Sequence, residues 1–148
     1  MKDLSLHILD LAMNSIRAGA DTIRIDLRSD EDGRWLYLKI SDNGSGIPED
    51  LIKTAGHIPF TTKEAEETAV FGHGLYDFCN QAVSSGGTFD IAAPPEGGTV
   101  IEASLCTDNG IEPGNISDTI YALWTSTQDV RIIFSYQDET GHFELDTR

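Results

Sequence analysis

The sequence is short of positive charge. Ten of its 148 residues are Lys or Arg, against 25 Asp or Glu, and the formal net charge is −15. No Lys or Arg lies between Lys63 and Arg131. Such a chain offers no counter-charge to nucleic acid or to an anionic membrane, so neither is expected as a partner. Cysteine is scarce as well. Cys79 and Cys106 lack metal-ligand spacing and read as buried thiols, although spacing alone leaves a bridge between them open. No apolar run approaches the length of a membrane span, and no secretory signal opens the chain, so a soluble cytoplasmic protein is expected. Two common nucleotide motifs are missing. There is no Gly-x-x-x-x-Gly-Lys-Ser/Thr, and Gly72-His73-Gly74 has no glycine at the third place beyond it.

What remains is an ordinary globular composition, 39% hydrophobic and 24% charged. The length suits one domain, or one domain with a small appendage. Residues 4–20 read as a helix, with Leu9, Ala12, Met13, Ile16 and Ala20 at helical spacing. His7, Asp10, Asn14 and Arg17 form a second, polar stripe, either a solvated face or the wall of a site. Residues 22–28 and 35–41 alternate apolar and polar side chains and should pair as an antiparallel hairpin. The second strand delivers Asp42 at its C-terminal end. A short helix is expected over 49–55 and a lid-like loop over 56–74. A second helix follows over 75–84, with Leu75, Phe78, Cys79, Ala82 and Val83 on one face and Gly86 as its stop. Strands are expected over 88–93 and 99–105. Beyond a linker come a third helix capped by Asn115 (116–124) and a final hairpin (130–136 and 142–146). This order predicts an α+β two-layer sandwich, a mixed sheet with helices on one face, plus a small C-terminal helix–hairpin appendage. The division expected is residues 1–106 and 107–148. The tail carries enough apolar surface either to dock on the core or to bind a partner.

Four elements stand out in order. Asp10 and Asn14 lie one helical turn apart. Asp42-Asn43-Gly44-Ser45-Gly46 places an acid before a glycine turn that can approach a flat ligand closely, though by itself this is also a common turn sequence. Phe71-Gly72-His73-Gly74-Leu75 leads glycines into a helix. Gly97-Gly98-Thr99 leads glycines into the last strand of the core.

Together these resemble the boxes of the GHKL ATP-binding superfamily, which includes gyrase, the large heat-shock chaperones, histidine kinases, mismatch-repair ATPases and anti-sigma serine kinases. Asp10-Leu11-Ala12-Met13-Asn14-Ser15 is similar to the N box, and Asp42 to Gly46 to the first glycine box. Pro59-Phe60-Thr61-Thr62-Lys63 with Gly72 to Leu75 is similar to the lid entry and second glycine box, nearest to histidine kinases. Gly97-Gly98-Thr99 is similar to the last box. The resemblance covers roughly residues 1 to 106 and implies the Bergerat-type fold with ATP and Mg²⁺ as cofactors. It implies that Asn14 offers an amide oxygen to Mg²⁺, and that Asp42 accepts from the adenine amino group with support from Thr99. Gly44 and Gly46 leave room for the base. Gly72 and Gly74 bring N–H groups to the phosphates beside Leu75. Lys63 serves the γ-phosphate. ATP-hydrolysing relatives carry Glu where this chain has Asp10, one methylene shorter, so Asp10 is read either as the base or as a group that orients Asn14 or a metal-bound water. The expected function is ATP-dependent protein phosphorylation in trans, on an unidentified protein partner. The alternatives are a nucleotide-gated protein-binding module with little catalysis and, third, a simple ATPase.

Overall fold

The computed structural model describes residues 3–45, 72–109, 111–127 and 129–147. The expected helix over 49–55, most of the lid, Gly46 and Lys63 lie outside them. Alternation along the strands fixes which face of the sheet is buried. β1 (Thr22–Ser29) and β2 (Trp35–Asp42) pair antiparallel, with Ile25 opposite Ile40 and Leu27 opposite Leu38. β2 pairs next with β4 (Thr99–Cys106), and β4 with β3 (Thr88–Ala92), both antiparallel. Through the middle of these registers apolar residues meet apolar residues, as in Ile40 opposite Ile101, Leu38 opposite Ala103 and Ile91 opposite Ile101, so the centre of one face is hydrocarbon, with Asp42 and Thr99 at its end. The other face carries Arg24, Asp26, Lys39 and Glu102 to solvent.

The tail extends this sheet. β5 (Arg131–Asp138) lies parallel to β1, and β6 (Gly141–Asp146) returns antiparallel to β5. The order is β3-β4-β2-β1-β5-β6, one six-stranded mixed sheet. Ile132 and Phe134 join the core from β5. The tail docks on the core through the sheet itself.

Among the described residues three helices cover the apolar face: α1 (Leu4–Arg17), α2 (Gly72–Ser84) and α3 (Ile116–Ser126). α1 lies between the other two. That position corrects the sequence expectation for its buried side. The inward seam is Leu4, Ile8, Leu11, Ala12 and Ser15, with His7 also buried, whereas Leu9, Met13 and Ile16 are only partly covered. A helix flanked on both sides and floored by a sheet buries more than one stripe, so periodicity alone picks the wrong centre. His7 leaves the polar stripe and packs 5.3 Å from the Phe78 ring of α2.

Helix ends also differ in part. α1 stops at Arg17 rather than near Ala20, because Gly19 N–H bonds Ile16 O and Ala20 N–H bonds Ser15 O, a closure that reverses the chain. Gly86 closes α2 in the same way, as expected. α2 begins three residues earlier than periodicity indicates, so Gly72 and Gly74 form its first turn instead of the end of a loop. Val83, expected on the inner face of α2, is exposed. Asn115 caps α3 by accepting from Asp118 N–H at 3.0 Å. Cys79 and Cys106 are buried free thiols. Among the described residues no helix is long and apolar enough to cross a membrane.

The start of α1 depends on the tail. Leu4 N–H donates to Glu112 O at 2.8 Å and Ser5 N–H to Pro113 O at 2.9 Å. The Asp3 side chain accepts from Leu6 N–H and from the Ser5 hydroxyl. Three of the N–H donors that a helix N-terminus leaves without intrahelical acceptors, those of Leu4, Ser5 and Leu6, are thus engaged.

Candidate nucleotide site

Asp42 is the last residue of β2, opposite Ile23 on one side and Thr99 on the other. Register puts its side chain on the face that the helices cover. An acid at such a position must be hydrogen-bonded, since burying an unpaired carboxylate is costly. Both of its oxygens are served. Ser15 of α1 donates its hydroxyl to Oδ2 at 2.6 Å, and Gly44 donates its N–H to Oδ1 at 2.9 Å. Ser15 and Thr99 are themselves buried.

The turn after Asp42 is tied down at each step. Asn43 Oδ1 accepts from Asp21 N–H and Thr22 N–H at 3.0 and 3.1 Å, while its amide donates to Asp21. Ser45 N–H donates to Ala18 O at 2.8 Å, using a carbonyl at the end of α1. A Cβ on Gly44 would stand 2.9 Å from that same oxygen, which explains the glycine. Asn43 and Ser45 thereby stitch the turn to both β1 and α1.

Asn14, Ser15, Leu11 and Ala18 of α1, Asp42 of β2, Leu75 of α2, and Thr99 and Ile101 of β4 line one cleft. Four residues singled out in the sequence, Asn14, Asp42, Leu75 and Thr99, therefore meet. Gly72 and Gly74 precede Leu75 within the first turn of α2, where N–H groups lack intrahelical acceptors. Asp10 is half-buried one turn before Asn14, and it is not among the described residues lining the cleft. The expectations for Gly46 and Lys63 fall outside the described residues.

Sequence reasoning gave no individual role to three residues that bond around the cleft. Ser15 was visible only as the residue after Asn14, and a helical serine gives no sign of a partner 27 residues away. Asn43 looked like a turn residue but links two elements. Arg17, on the exposed edge of α1, donates from Nη1 to Asn14 Oδ1 at 3.1 Å. It supplies a cation beside the N box, so Lys63 is not the sole base available to an anionic ligand.

The donor set suits a magnesium–nucleotide complex. Mg²⁺ takes hard oxygen ligands, keeps several waters, and is held by one or two protein groups plus phosphates. The Asn14 amide oxygen is an oxygen of that hard type, with the Asp10 carboxylate one helical turn away. Leu11, Leu75 and Ile101 give the cleft apolar walls, and Asp42 gives it an acceptor.

Residues 2–109 match the family described as histidine kinase-, DNA gyrase B-, and HSP90-like ATPase. The sensor protein LytS of Bacillus subtilis (strain 168) is 42% identical over 40 residues, 27% of this chain and 7% of that protein. The DNA mismatch repair protein PMS1 of Arabidopsis thaliana is 36% identical over 84 residues, 56% of this chain and 9% of that protein. The matched segments thus span under a tenth of these curated relatives. Two solved structures of the catalytic domain of the histidine kinase ThkA, both nucleotide-free, align with 68% of this chain. One is 21% identical at a TM-score of 0.44 over 63% of its length, the other 16% identical at 0.40 over 66%.

Proposed function

Because the chain belongs to the histidine kinase-, DNA gyrase B- and HSP90-like ATPase family, we propose that its cleft binds Mg²⁺-ATP and that the protein transfers the γ-phosphoryl group to another protein. The observation that carries the nucleotide part is the Asp42 carboxylate, held by Ser15 and Gly44 in a cleft shared with Asn14, Leu75 and Thr99. A fixed acceptor-only group at the end of an apolar slot matches the adenine amino group. Thr99 flanks that contact, directly or through water. Gly44 and Gly46 let the base approach.

Polar ends of the ligand have their own partners. Asn14 supplies the protein oxygen for Mg²⁺. Arg17, which donates to that oxygen, would supply a cation to the phosphates. N–H groups of Gly72 and Gly74 meet the phosphates at the positive end of α2. Lys63 neutralises the γ-phosphate. Mg²⁺ offsets charge on the phosphate oxygens when it is bound. In the transfer itself, a nucleophilic atom of the substrate protein bonds to the γ-phosphorus, the bond to the bridging oxygen breaks, and ADP leaves. Asp10 takes the nucleophile's proton. Residues 1–106 hold the nucleotide in this reading, and 107–148 complete the sheet and cap α1. An ATP-dependent protein with buried free thiols belongs in the cytoplasm.

A second reading is favoured by one observation, that Asp10 is not among the described residues lining the cleft. In it the nucleotide gates capture of a protein partner with little chemistry. Incubation with γ-labelled ATP and cell extract separates the two. The kinase reading expects label on a protein, lost with Asp10→Ala. No transfer above that control, with a partner captured only in the presence of ATP, favours the gated module.

A further inference from the structure

Ser15 sits on the buried seam of α1, 5% exposed. A serine within a helix commonly bonds back to the carbonyl four residues earlier. Here that acceptor, Leu11 O, is 3.4 Å away, while Asp42 Oδ2 is at 2.6 Å. A hydroxyl has one proton, and distance assigns it to Asp42. The Asp42 carboxylate is thus anchored at both oxygens by two different elements. Gly44 holds Oδ1 from its own turn, and Ser15 holds Oδ2 from the neighbouring helix.

Resting on the reading of this cleft as a nucleotide site, we propose that Ser15 is a positioning residue that sets the Asp42 carboxylate for a purine carrying an amino group at position 6. A carboxylate has about four lone-pair directions. Two are taken by Ser15 and Gly44, and what is left for a ligand is acceptor capacity in fixed directions. A 6-amino group donates into it. A 6-oxo group brings an acceptor to an acceptor, and the N1–H of such a base lies one ring position away. A fixed carboxylate cannot follow that displaced donor; a loosened one can turn towards it. Anchoring before the ligand arrives also removes the rotamer cost of ordering Asp42 on binding. Ser15 therefore contributes to choice of base without touching it.

Ligand-pair ratios test this better than affinity alone. ATP, ITP and purine riboside 5′-triphosphate differ at position 6 by amino, oxo and hydrogen. Dissociation constants for all three are measured by calorimetry on wild type, Ser15→Ala and Ser15→Thr. Alanine is the strongest helix former, so Ser15→Ala should fold, and its melting temperature without nucleotide checks that. The expected result is ATP binding weakened about tenfold in Ser15→Ala, the scale of one hydrogen bond to a charged group. Purine riboside triphosphate should change far less, so the preference for ATP over both analogues falls several-fold. Ser15→Thr, which keeps the hydroxyl, should retain the preference. Equal weakening of all three triphosphates in Ser15→Ala would mean a general packing effect and overturns the proposal, as does an unchanged ratio. If wild type itself binds none of the three, the nucleotide reading fails and this inference with it. If wild type prefers ATP and Ser15→Ala does too, only the role of Ser15 is lost.

Discussion

A side-chain carbon on Gly98 would lie 2.0 Å from the backbone carbonyl oxygen of Asp42. The turn that leads into β4 presses directly on the strand end that holds the acid, and only a residue without Cβ permits this. Gly98 also has φ +86°, a region that costs other residues energy. Gly97, with φ +103°, has open space where its Cβ would be. Gly98→Ala should therefore lose about 2 kcal/mol or more, from strain plus clash, together with nucleotide binding. Gly97→Ala should lose about 1 kcal/mol from strain alone. Urea denaturation of both variants measures this; equal losses would mean that the contact with Asp42 is unimportant.

Gly114 stands in the same relation to the start of α1. It has φ +71°, and a Cβ there would come within 2.4 Å of Asp3 Cγ and Ser5 Oγ. Gly114→Ala should push the tail away from the N–H groups of Leu4 and Ser5 and destabilise the whole fold by about 2 kcal/mol. The shift in the denaturation midpoint reads it. A single cooperative transition at the lower midpoint is expected, because the tail's strands extend the sheet that α1 covers and both share one core. A separate early transition would show the tail unfolding by itself.

Asp3 makes the cap of α1 sensitive to acid. The Ser5 hydroxyl, then the Leu6 N–H, hold its carboxyl below the usual carboxylate value. A lowered folded pKa contributes stability above the unfolded value, about 3.9, and that stability is lost as pH falls through the folded one. Asp3→Ala should cost about 1 kcal/mol at pH 7. Its deficit should shrink as pH drops below about 4. Melting curves across pH 7 to 2.5 check the sign; a deficit that grows towards acid would contradict it.

In the proposed site Arg17 and Asn14 would serve the polar end of the ligand. Arg17→Ala should weaken ATP about tenfold and leave adenosine unchanged, since only the phosphates need the cation. Asn14→Ala should reduce the gain in ATP affinity that Mg²⁺ brings. Titrations of ATP and adenosine, each with and without Mg²⁺, separate these effects. Equal losses for ATP and adenosine in Arg17→Ala would place the arginine elsewhere in the mechanism.

Local signals carried much of this structure. Alternation gave the strands, Gly86 gave the end of α2, and Asn115 gave a helix cap. Asp42 was legible as the residue at a strand end because the apolar alternation of Leu36, Leu38 and Ile40 stops there. Other features had no local signal. The buried side of α1 depends on two helices and a sheet around it, so the stripe Leu9, Met13, Ile16 misled. Parallel pairing of β5 with β1 joins residues more than a hundred positions apart, and nothing in either strand announces it. The Ser15–Asp42 bond is of the same kind, a short polar side chain in a helix whose meaning comes from another element. The first turn of α2 was hidden because glycine has low helix propensity, which matters less where the first N–H groups have no helical acceptor.

The claim that Asp42 reads an adenine amino group is tested most directly by thermal melting with Mg²⁺ and ATP, on wild type and Asp42→Asn. A ligand that binds only the folded state stabilises it by about 2.7 kcal/mol at one hundred times its dissociation constant. For a chain of this size that raises the melting temperature by roughly 5–10 °C. Wild type should show that rise with ATP and little with GTP, and Asp42→Asn should show almost none with either. An Asp42→Asn rise equal to that of wild type, or no rise in wild type, would contradict the assignment.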